Sequence, residues 1–163
     1  MNEAPSFDAP EPPTFTQRIT PLTVQSTFSV NTADVDGDGD LDLISPDFRR
    51  DTIFWHENDG NGSFTPRTVA TNIDGVRDVV ATDVDGDGDL DLVSAASNAS
   101  RITLHINDGN QNFTHRVIAN NINGAFSVTT ADVDGDGDID VLSASSRDNS
   151  CLLYTSPSPR DRG

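Results

Sequence analysis

Short runs of alternating apolar and polar residues predict β-strands along most of this chain. Residues 79–82 form a first run, and residues 90–94 follow an acidic loop with apolar side chains at alternate positions. Residues 101–106 form a third run, which ends at a turn-forming Asn-Asp-Gly-Asn segment, and residues 113–119 form a fourth. No stretch has a long helical periodicity. The pattern therefore predicts four antiparallel strands and no helix.

The same pattern returns every 49 residues. Phe15, Phe64 and Phe113 keep this interval and are each followed by Thr, and Val30 and Val79 keep it too. A period of this size is typical of stacked supersecondary units, none of which can bury its apolar face alone. Four antiparallel strands in such a repeat predict an all-β fold, in which each repeat supplies one blade of a β-propeller. A calcium-binding β-roll would need nine-residue repeats, which are absent.

The repeats predict an incomplete propeller within residues 14–150. They run over about residues 15–63, 64–112 and 113–150. Residues 15–22 correspond to the outer strand of a preceding blade, two complete blades follow, and the third ends after its second strand. About two and a half blades cannot close a ring, so we expect apolar sheet surface at both ends and interpret the chain as a fragment of a larger protein.

Both termini depart from the repeat. Residues 1–13 contain four prolines and predict an extended linker. The period is lost at Cys151, and residues 151–161 resemble a translated sequencing adapter, so we interpret residues 151–163 as a non-native tail. The only cysteine belongs to that tail, so no disulfide is expected.

Three acidic loops, each reading Asp-Val-Asp-Gly-Asp-Gly-Asp with a further Asp two residues on, predict three Ca²⁺ sites. Hard divalent cations prefer several oxygen ligands from one sharply turned segment, and the odd positions of such a loop converge. The expected ligands are Asp34, Asp36, Asp38, Asp40 and Asp42, then Asp83, Asp85, Asp87, Asp89 and Asp91, then Asp132, Asp134, Asp136, Asp138 and Asp140.

Other loop positions have different expected roles. Asp40 would contribute its backbone carbonyl, and Val35 and Leu41 are expected to face the core.

An EF-hand is excluded because position 12 is Ser45 in the first loop, and Ser again in the others, rather than Glu, and because strands flank the loop. Solvated Asp-Gly turns remain the alternative. Close carboxylates repel by about 1 kcal/mol per pair even in water, so we expect metal-free loops to be loose.

The charge balance restricts the partners. Of 27 acidic residues 24 are Asp, and the formal net charge of −17 argues against nucleic acid and anionic membranes. No apolar run is long enough to insert into a membrane, and the first residues lack the features of a signal peptide. No catalytic constellation is evident, because the paired acids stand at metal-ligand spacing. The sequence therefore predicts a non-enzymatic protein.

The acidic loops, the segment from Trp55 to Gly60 and the Phe-Thr strand starts resemble the FG-GAP/VCBS repeat family, whose calcium-loop propellers are also found in the head of integrin α subunits. The resemblance covers about residues 15–150. It implies a propeller of commonly about seven blades, with Ca²⁺ in the loop between the first and second strands. It also implies that partners bind the opposite face. Arg49, Arg50, Arg77 and Arg147 gather there, either as a binding face for an acidic or carbohydrate ligand or, as we favour, as scattered solvated charges that offset the Asp loops.

The expected function is that of a calcium-binding propeller segment in a larger secreted or surface protein, acting in adhesion or in binding a protein or carbohydrate ligand. The alternatives are an accessory propeller domain of a polysaccharide-processing enzyme and a structural spacer. Calcium sites of extracellular modules have dissociation constants of roughly 10⁻⁴ to 10⁻³ M, which favours an extracellular or cell-surface location. Trp55 lies on a predicted strand, which favours core packing over sugar stacking, and the three histidines are interpreted as structural or exposed.

Overall fold

A computed structural model describes residues 14–16 and 24–156 of the chain. Those residues form eleven β-strands and no helix, so the predicted all-β class is confirmed. The strands are β1 (Asn31–Ala33), β2 (Asp42–Asp47), β3 (Thr52–Asn58), β4 (Phe64–Ala70), β5 (Val76–Thr82), β6 (Asp91–Ala96), β7 (Arg101–Asn107), β8 (Phe113–Asn120), β9 (Ala125–Ala131), β10 (Asp140–Ser145) and β11 (Ser150–Tyr154). The linker predicted over residues 1–13 lies outside the described part, as do most residues of the outer strand predicted over residues 15–22.

The strands form three open antiparallel sheets in chain order. Sheet order is β1-β2-β3-β4 in the first blade, β5-β6-β7-β8 in the second and β9-β10-β11 in the third. Each neighbouring pair is antiparallel. This up-and-down order is that of propeller blades, and the open third sheet agrees with the expected incomplete propeller.

The third blade extends one strand further than expected. The sequence predicts that this blade ends after β10, but β11 pairs with β10 from Val141↔Tyr154 to Ser145↔Ser150. Leu152 and Tyr154 pack against the buried cluster of the second blade interface, which explains why this segment is held as a strand. Strand geometry does not test the origin of residues 151–163, so their interpretation as a non-native tail stays a prediction.

The core lies between the blades. One buried cluster joins Ile44, Ile53 and Trp55 of the first blade to Val79 and Leu92 of the second, and all five are at most 4% exposed. A second cluster repeats this packing between the second and third blades. The second sheet therefore buries both faces against neighbouring repeats, and the first and third sheets each bury one.

Two apolar residues of the first acidic loop differ in burial, although both are predicted to face the core. Val35 is buried in the first interface, as predicted, whereas Leu41 is 60% exposed and does not face a core. Leu90, at the same repeat position, packs against the preceding blade. Leu41 is exposed because no described residues lie where a preceding blade would pack. At the other end Val133, the counterpart of Val35, is 48% exposed, and Leu153 of β11 is 46% exposed, so apolar side chains are exposed at both ends of the described stack.

Buried Ser–His pairs join the second and third strands of two blades. Ser45 Oγ lies 2.8 Å from His56 Nε2, and Ser94 Oγ lies 2.8 Å from His105 Nε2. In the third blade Ser143 keeps the serine position, but Tyr154 occupies the histidine position. The Ser143 hydroxyl is buried and has no hydrogen-bond partner among the described residues. The same repeat position therefore carries a hydrogen-bonded hydroxyl in Ser45 and Ser94 and a hydroxyl without a described partner in Ser143.

We expect truncation of Val79 to destabilise the protein far more than truncation of Val30. The two residues share one repeat position, but Val79 is fully buried between blades and Val30 is 59% exposed. Val79→Ala should lower the free energy of unfolding by about 2 kcal/mol, and Val30→Ala by less than about 0.5 kcal/mol. Urea unfolding of both variants measures this. Equal losses would contradict the described interface.

We expect His105 to make stability fall at acidic pH. Burial, reinforced by His115 and Arg101, lowers the pKa of His105 from 6.5 to about 3. Between these values the unfolded chain binds a proton that the folded chain does not bind. The contribution is therefore complete above pH 6.5 and is lost as the pH falls, by about 2 kcal/mol between pH 6.5 and about pH 5.

Urea unfolding in EDTA at about pH 7 and about pH 5 tests this effect, with His105→Gln as the variant that cannot titrate. The unfolding free energy of the variant should depend less on pH than that of the parent chain. Parallel pH profiles would show that His105 is not the responsible group.

Candidate metal centres

The three acidic loops join the first and second strands of each blade, where the sequence predicts them. Each loop is closed at its base by a pair of facing strand residues. These pairs are Ala33↔Asp42, Thr82↔Asp91 and Ala131↔Asp140. The end of one strand and the start of the next are thereby fixed, so the loop between them must turn sharply.

Two glycines make this turn. In the first loop Gly37 and Gly39 have φ angles of 74° and 97°, and the other two loops keep the same geometry. An added Cβ at either position would meet no atom within 4 Å. The backbone conformation, rather than a lack of space, therefore favours glycine here.

The first Asp of each loop folds the loop back on itself. Asp34 Oδ2 accepts the N–H of Gly39 at 3.0 Å, and Asp83 and Asp132 bind the matching glycine in the other loops at 3.0 and 3.1 Å. Asp38 Oδ1 accepts the N–H of Asp40 at 2.9 Å. These short-range bonds curl the segment and direct carboxylates towards its centre.

The last Asp of each loop is a buried anchor. Asp42 is fully buried, and its two carboxylate oxygens accept the N–H groups of Val35 at 3.0 Å and of Asn58 at 2.8 Å. Asp91 and Asp140 bind the equivalent N–H groups at 2.9 to 3.0 Å. One side chain thus ties the start of the loop to the end of the third strand, or in the third blade to Ser156.

Three carboxylates converge in each loop. One ligand oxygen from each lies within 4.8 Å of the other two. The groups are Asp34, Asp36 and Asp42, then Asp83, Asp85 and Asp91, then Asp132, Asp134 and Asp136. The structure therefore brings together nine of the fifteen predicted ligand residues.

The other six residues lie outside these groups. They are Asp38, Asp40, Asp87, Asp89, Asp138 and Asp140. The carboxylates of Asp40 and Asp89 lie against Gly60 and Gly109 in the turns after the third strands, where a Cβ would overlap them. This contact leaves the backbone carbonyl as the metal ligand expected from Asp40. The assignment of all fifteen residues as ligands stays a prediction.

The electrostatics of the loops favour a bound cation. Burial, with repulsion from Asp42 and Asp38, raises the pKa of Asp36, and burial with repulsion from Asp85 and Asp87 raises that of Asp91. The N–H of Asp136 lowers the pKa of Asp134, but burial and the surrounding carboxylates outweigh it, so the net direction is upward. A divalent cation would favour the charged form of each group and so oppose these upward shifts of the pKa.

The donor set fits Ca²⁺. The converging ligands are all carboxylate oxygens, which hard cations prefer over nitrogen or sulfur. Asp34 Oδ1 is also buried with no hydrogen-bond partner among the described residues. A buried carboxylate oxygen without a partner is costly, and a cation in the first loop would provide one. Asp34, Asp36 and Asp42 are the residues that would hold it.

A family described as an FG-GAP-like repeat matches residues 34–94 and residues 83–143. The chain belongs to the FG-GAP-like repeat family. The family resemblance that the sequence indicates is therefore confirmed. No curated protein matches the chain.

Each FG-GAP-like match covers a junction between blades. The first match begins at Asp34, the first residue of one acidic loop, and ends at Ser94 in the second strand of the next blade. The second match spans the corresponding residues one repeat later. Each therefore contains two acidic loops and the blade interface between them.

The described part of the chain contains no helical segment with the length and apolar character that crossing a bilayer demands.

Sequence reasoning missed two contributors to the FG-GAP-like loops. It treated Asp42 only as a ligand and overlooked the N–H groups that this residue accepts. It also overlooked the turn that packs on the loop through Gly60. A signal was present, because Asn58-Asp59-Gly60 returns 49 residues later at residues 107–109. Strict repetition of a polar turn beside an acidic loop indicates a contact between them.

We expect Asp42→Asn to destabilise the protein even without metal. An amide can accept only one of the two N–H bonds and would place its own NH₂ against the other donor. The free energy of unfolding in EDTA should fall by about 2 kcal/mol. Asp38→Asn is the control, because an amide oxygen can keep its single bond to Asp40. Urea unfolding of both in EDTA measures the difference, and a stable Asp42→Asn protein would contradict the anchoring role.

Proposed function

We propose that this chain is a calcium-binding segment of a β-propeller in a larger secreted or surface protein, where it acts non-catalytically in adhesion or in binding a protein or carbohydrate ligand. The observation that carries the proposal is the convergence of three carboxylates in each of three equivalent loops. An FG-GAP-like repeat with such loops is well suited to Ca²⁺. Three divalent ions would offset six of the 17 net negative charges.

Metal binding would take the place of the disulfides that stabilise many extracellular modules. The only cysteine is exposed and free, so the described residues contain no covalent crosslink. Sites with dissociation constants of roughly 10⁻⁴ to 10⁻³ M fill outside cells rather than in the cytosol. The proposed extracellular or cell-surface location assumes that the three sites belong to this affinity class.

The proposed protein-binding surface lies at the opposite ends of the strands from the acidic loops. The Arg77 guanidinium carbon there lies 4.5 Å from the ring centroid of Phe28, 4.8 Å from that of Phe48 and 5.0 Å from that of Phe126. Its Nε also donates to Ser97 Oγ at 2.9 Å. Phe28, Arg77 and Phe126 occupy the same position of successive repeats. A cation fixed among partly exposed aromatic rings suits partner recognition.

We expect Ca²⁺ to raise the thermal stability of the full chain selectively. At ten times its dissociation constant, each ion should add about 1.4 kcal/mol to the free energy of unfolding. Circular dichroism during heating in excess EDTA, in millimolar Ca²⁺ and in millimolar Mg²⁺ measures the effect. Identical unfolding in the three solutions would reject calcium binding and remove the main support for an extracellular binding role.

A calorimetric titration should then resolve three Ca²⁺ per chain. Asp85→Asn should reduce this number to two, because it removes a converging charge while an amide can keep the bond to the N–H of Asp87. Asp74→Asn, which changes an acid outside the three loops, should leave it at three. An unchanged count in Asp85→Asn would contradict the assignment of the second site.

A further inference from the structure

A polar pocket opens between the first and second blades, on the side of the acidic loops. It has a volume of about 310 Å³, at the lower end of the range of small-molecule sites. The first blade contributes Trp55, Glu57 and Arg67 to its lining, and the second contributes Asn110, Gln111 and Phe113. Two separate repeats therefore build one concave site.

The charges of the pocket cancel. Arg67 Nη2 lies 2.6 Å from Glu57 Oε2, and Arg67 Nε donates to the same oxygen at 2.8 Å. Asn110 and Gln111 add neutral amide donors and acceptors. The pocket thus offers hydrogen bonds of both kinds without a net charge that would select an ion.

The next blade shows that the fold does not need Trp55 or Glu57. One repeat later Leu104 replaces Trp55 and Ile106 replaces Glu57, and both aliphatic residues pack in or against the second core cluster. Aliphatic residues at these two positions are therefore compatible with the same strands. Trp55 and Glu57 are features of the first interface, and not a requirement for stacking blades.

Trp55 has an unsatisfied polar group at this site. Its side chain is almost fully buried, and its indole N–H has no hydrogen-bond partner among the described residues. A buried donor without an acceptor costs free energy, which leucine at this position would avoid. The indole nitrogen itself has almost no accessible surface, so an occupant of the pocket can reach it only after the ring shifts.

We propose that this pocket binds one ring of a neutral saccharide. Mixed donors and acceptors match hydroxyl groups, the ring of Phe113 matches the apolar face of a sugar ring, and the volume suits a single ring. The inference rests on the ligand-binding part of the proposed function and places carbohydrate contacts beside the acidic loops. Because Gly109 packs on Asp89, filling the second loop with Ca²⁺ would steady the turn that carries Asn110.

Trp55 is the only tryptophan of the chain, and its fluorescence reports on this pocket and on the first blade interface, in whose core it also lies. The full chain in millimolar Ca²⁺ is titrated with the methyl glycosides of glucose, galactose, mannose and N-acetylglucosamine. At least one should change the emission saturably, with a dissociation constant on the order of 1 mM, as expected for so small a ligand. Acetate serves as the anionic probe and should cause no saturable change.

The repeat provides a matched pair of variants. Arg67 and Arg116 occupy the same repeat position, but only Arg67 lines the pocket. Arg67→Ala should weaken sugar binding about tenfold, and Arg116→Ala should leave it unchanged. Glu57→Ile introduces the residue that the second blade already carries, so it should weaken binding without preventing folding.

Three outcomes would overturn the proposal: no saturable response to any of the four glycosides, an equal response in Arg67→Ala and Arg116→Ala, or a response to acetate alone. The thermal shift caused by Ca²⁺ is measured on the same samples. A normal calcium shift without sugar binding rejects the pocket and leaves the calcium proposal intact. Loss of the calcium shift itself points to a failure of the proposed function instead.

Discussion

A buried carboxylate that binds two backbone N–H groups organises each repeat of this protein. In the first blade Asp42 joins residue 35, inside the acidic loop, to residue 58, at the end of the third strand. Without that bridge the loop would be an exposed run of glycines and repelling acids. With it, the loop is clamped at its base and two further carboxylates are directed towards the same point. The candidate metal centre therefore depends first on an internal hydrogen-bond anchor and only then on an ion.

The second constraint is that a four-stranded sheet has two faces to cover. In this chain neighbouring blades cover each other's faces, and the acidic loops contribute to the contact. Val35, in the loop of the first blade, packs towards the second blade, and Leu90, in the loop of the second blade, packs towards the first. The nine residues of each acidic loop therefore determine both the loop geometry and part of the contact between blades. A change that loosens an acidic loop also disturbs a hydrophobic interface, which links any effect of metal to the stability of the whole stack.

Much of this arrangement could be predicted from the sequence because it is repetitive. Alternation locates the strands, a 49-residue period defines the blades, and the spacing of Asp34 and Asp36 anticipates their convergence. Burial of Trp55 also agrees with its interpretation as a packing residue. These features depend on local periodicity, which a single repeat already displays and its copies reinforce.

The errors and omissions have a common physical origin, which is dependence on a neighbour. Leu41 was expected in a core because of its apolar side chain, but its exposure is decided by what lies beside the blade. Strand β11 was not expected because its residues break the period, although backbone pairing with β10 does not require a particular side chain. The pocket beside Arg67 combines residues from two repeats, so it could not be predicted from the sequence pattern of a single repeat.

The two exposed ends of the described stack have a consequence for assembly. The face near Leu41 corresponds to the surface with which a blade contacts the preceding blade. The face near Leu153 corresponds to the surface that contacts the following blade. Each end of the stack is therefore complementary to the other end and not to itself. Contacts of this heterologous kind do not produce twofold dimers; repeated head to tail, they grow into fibres unless the rotation per unit closes a ring. A closed ring would cover both apolar ends at once, because its first blade would pack against its last.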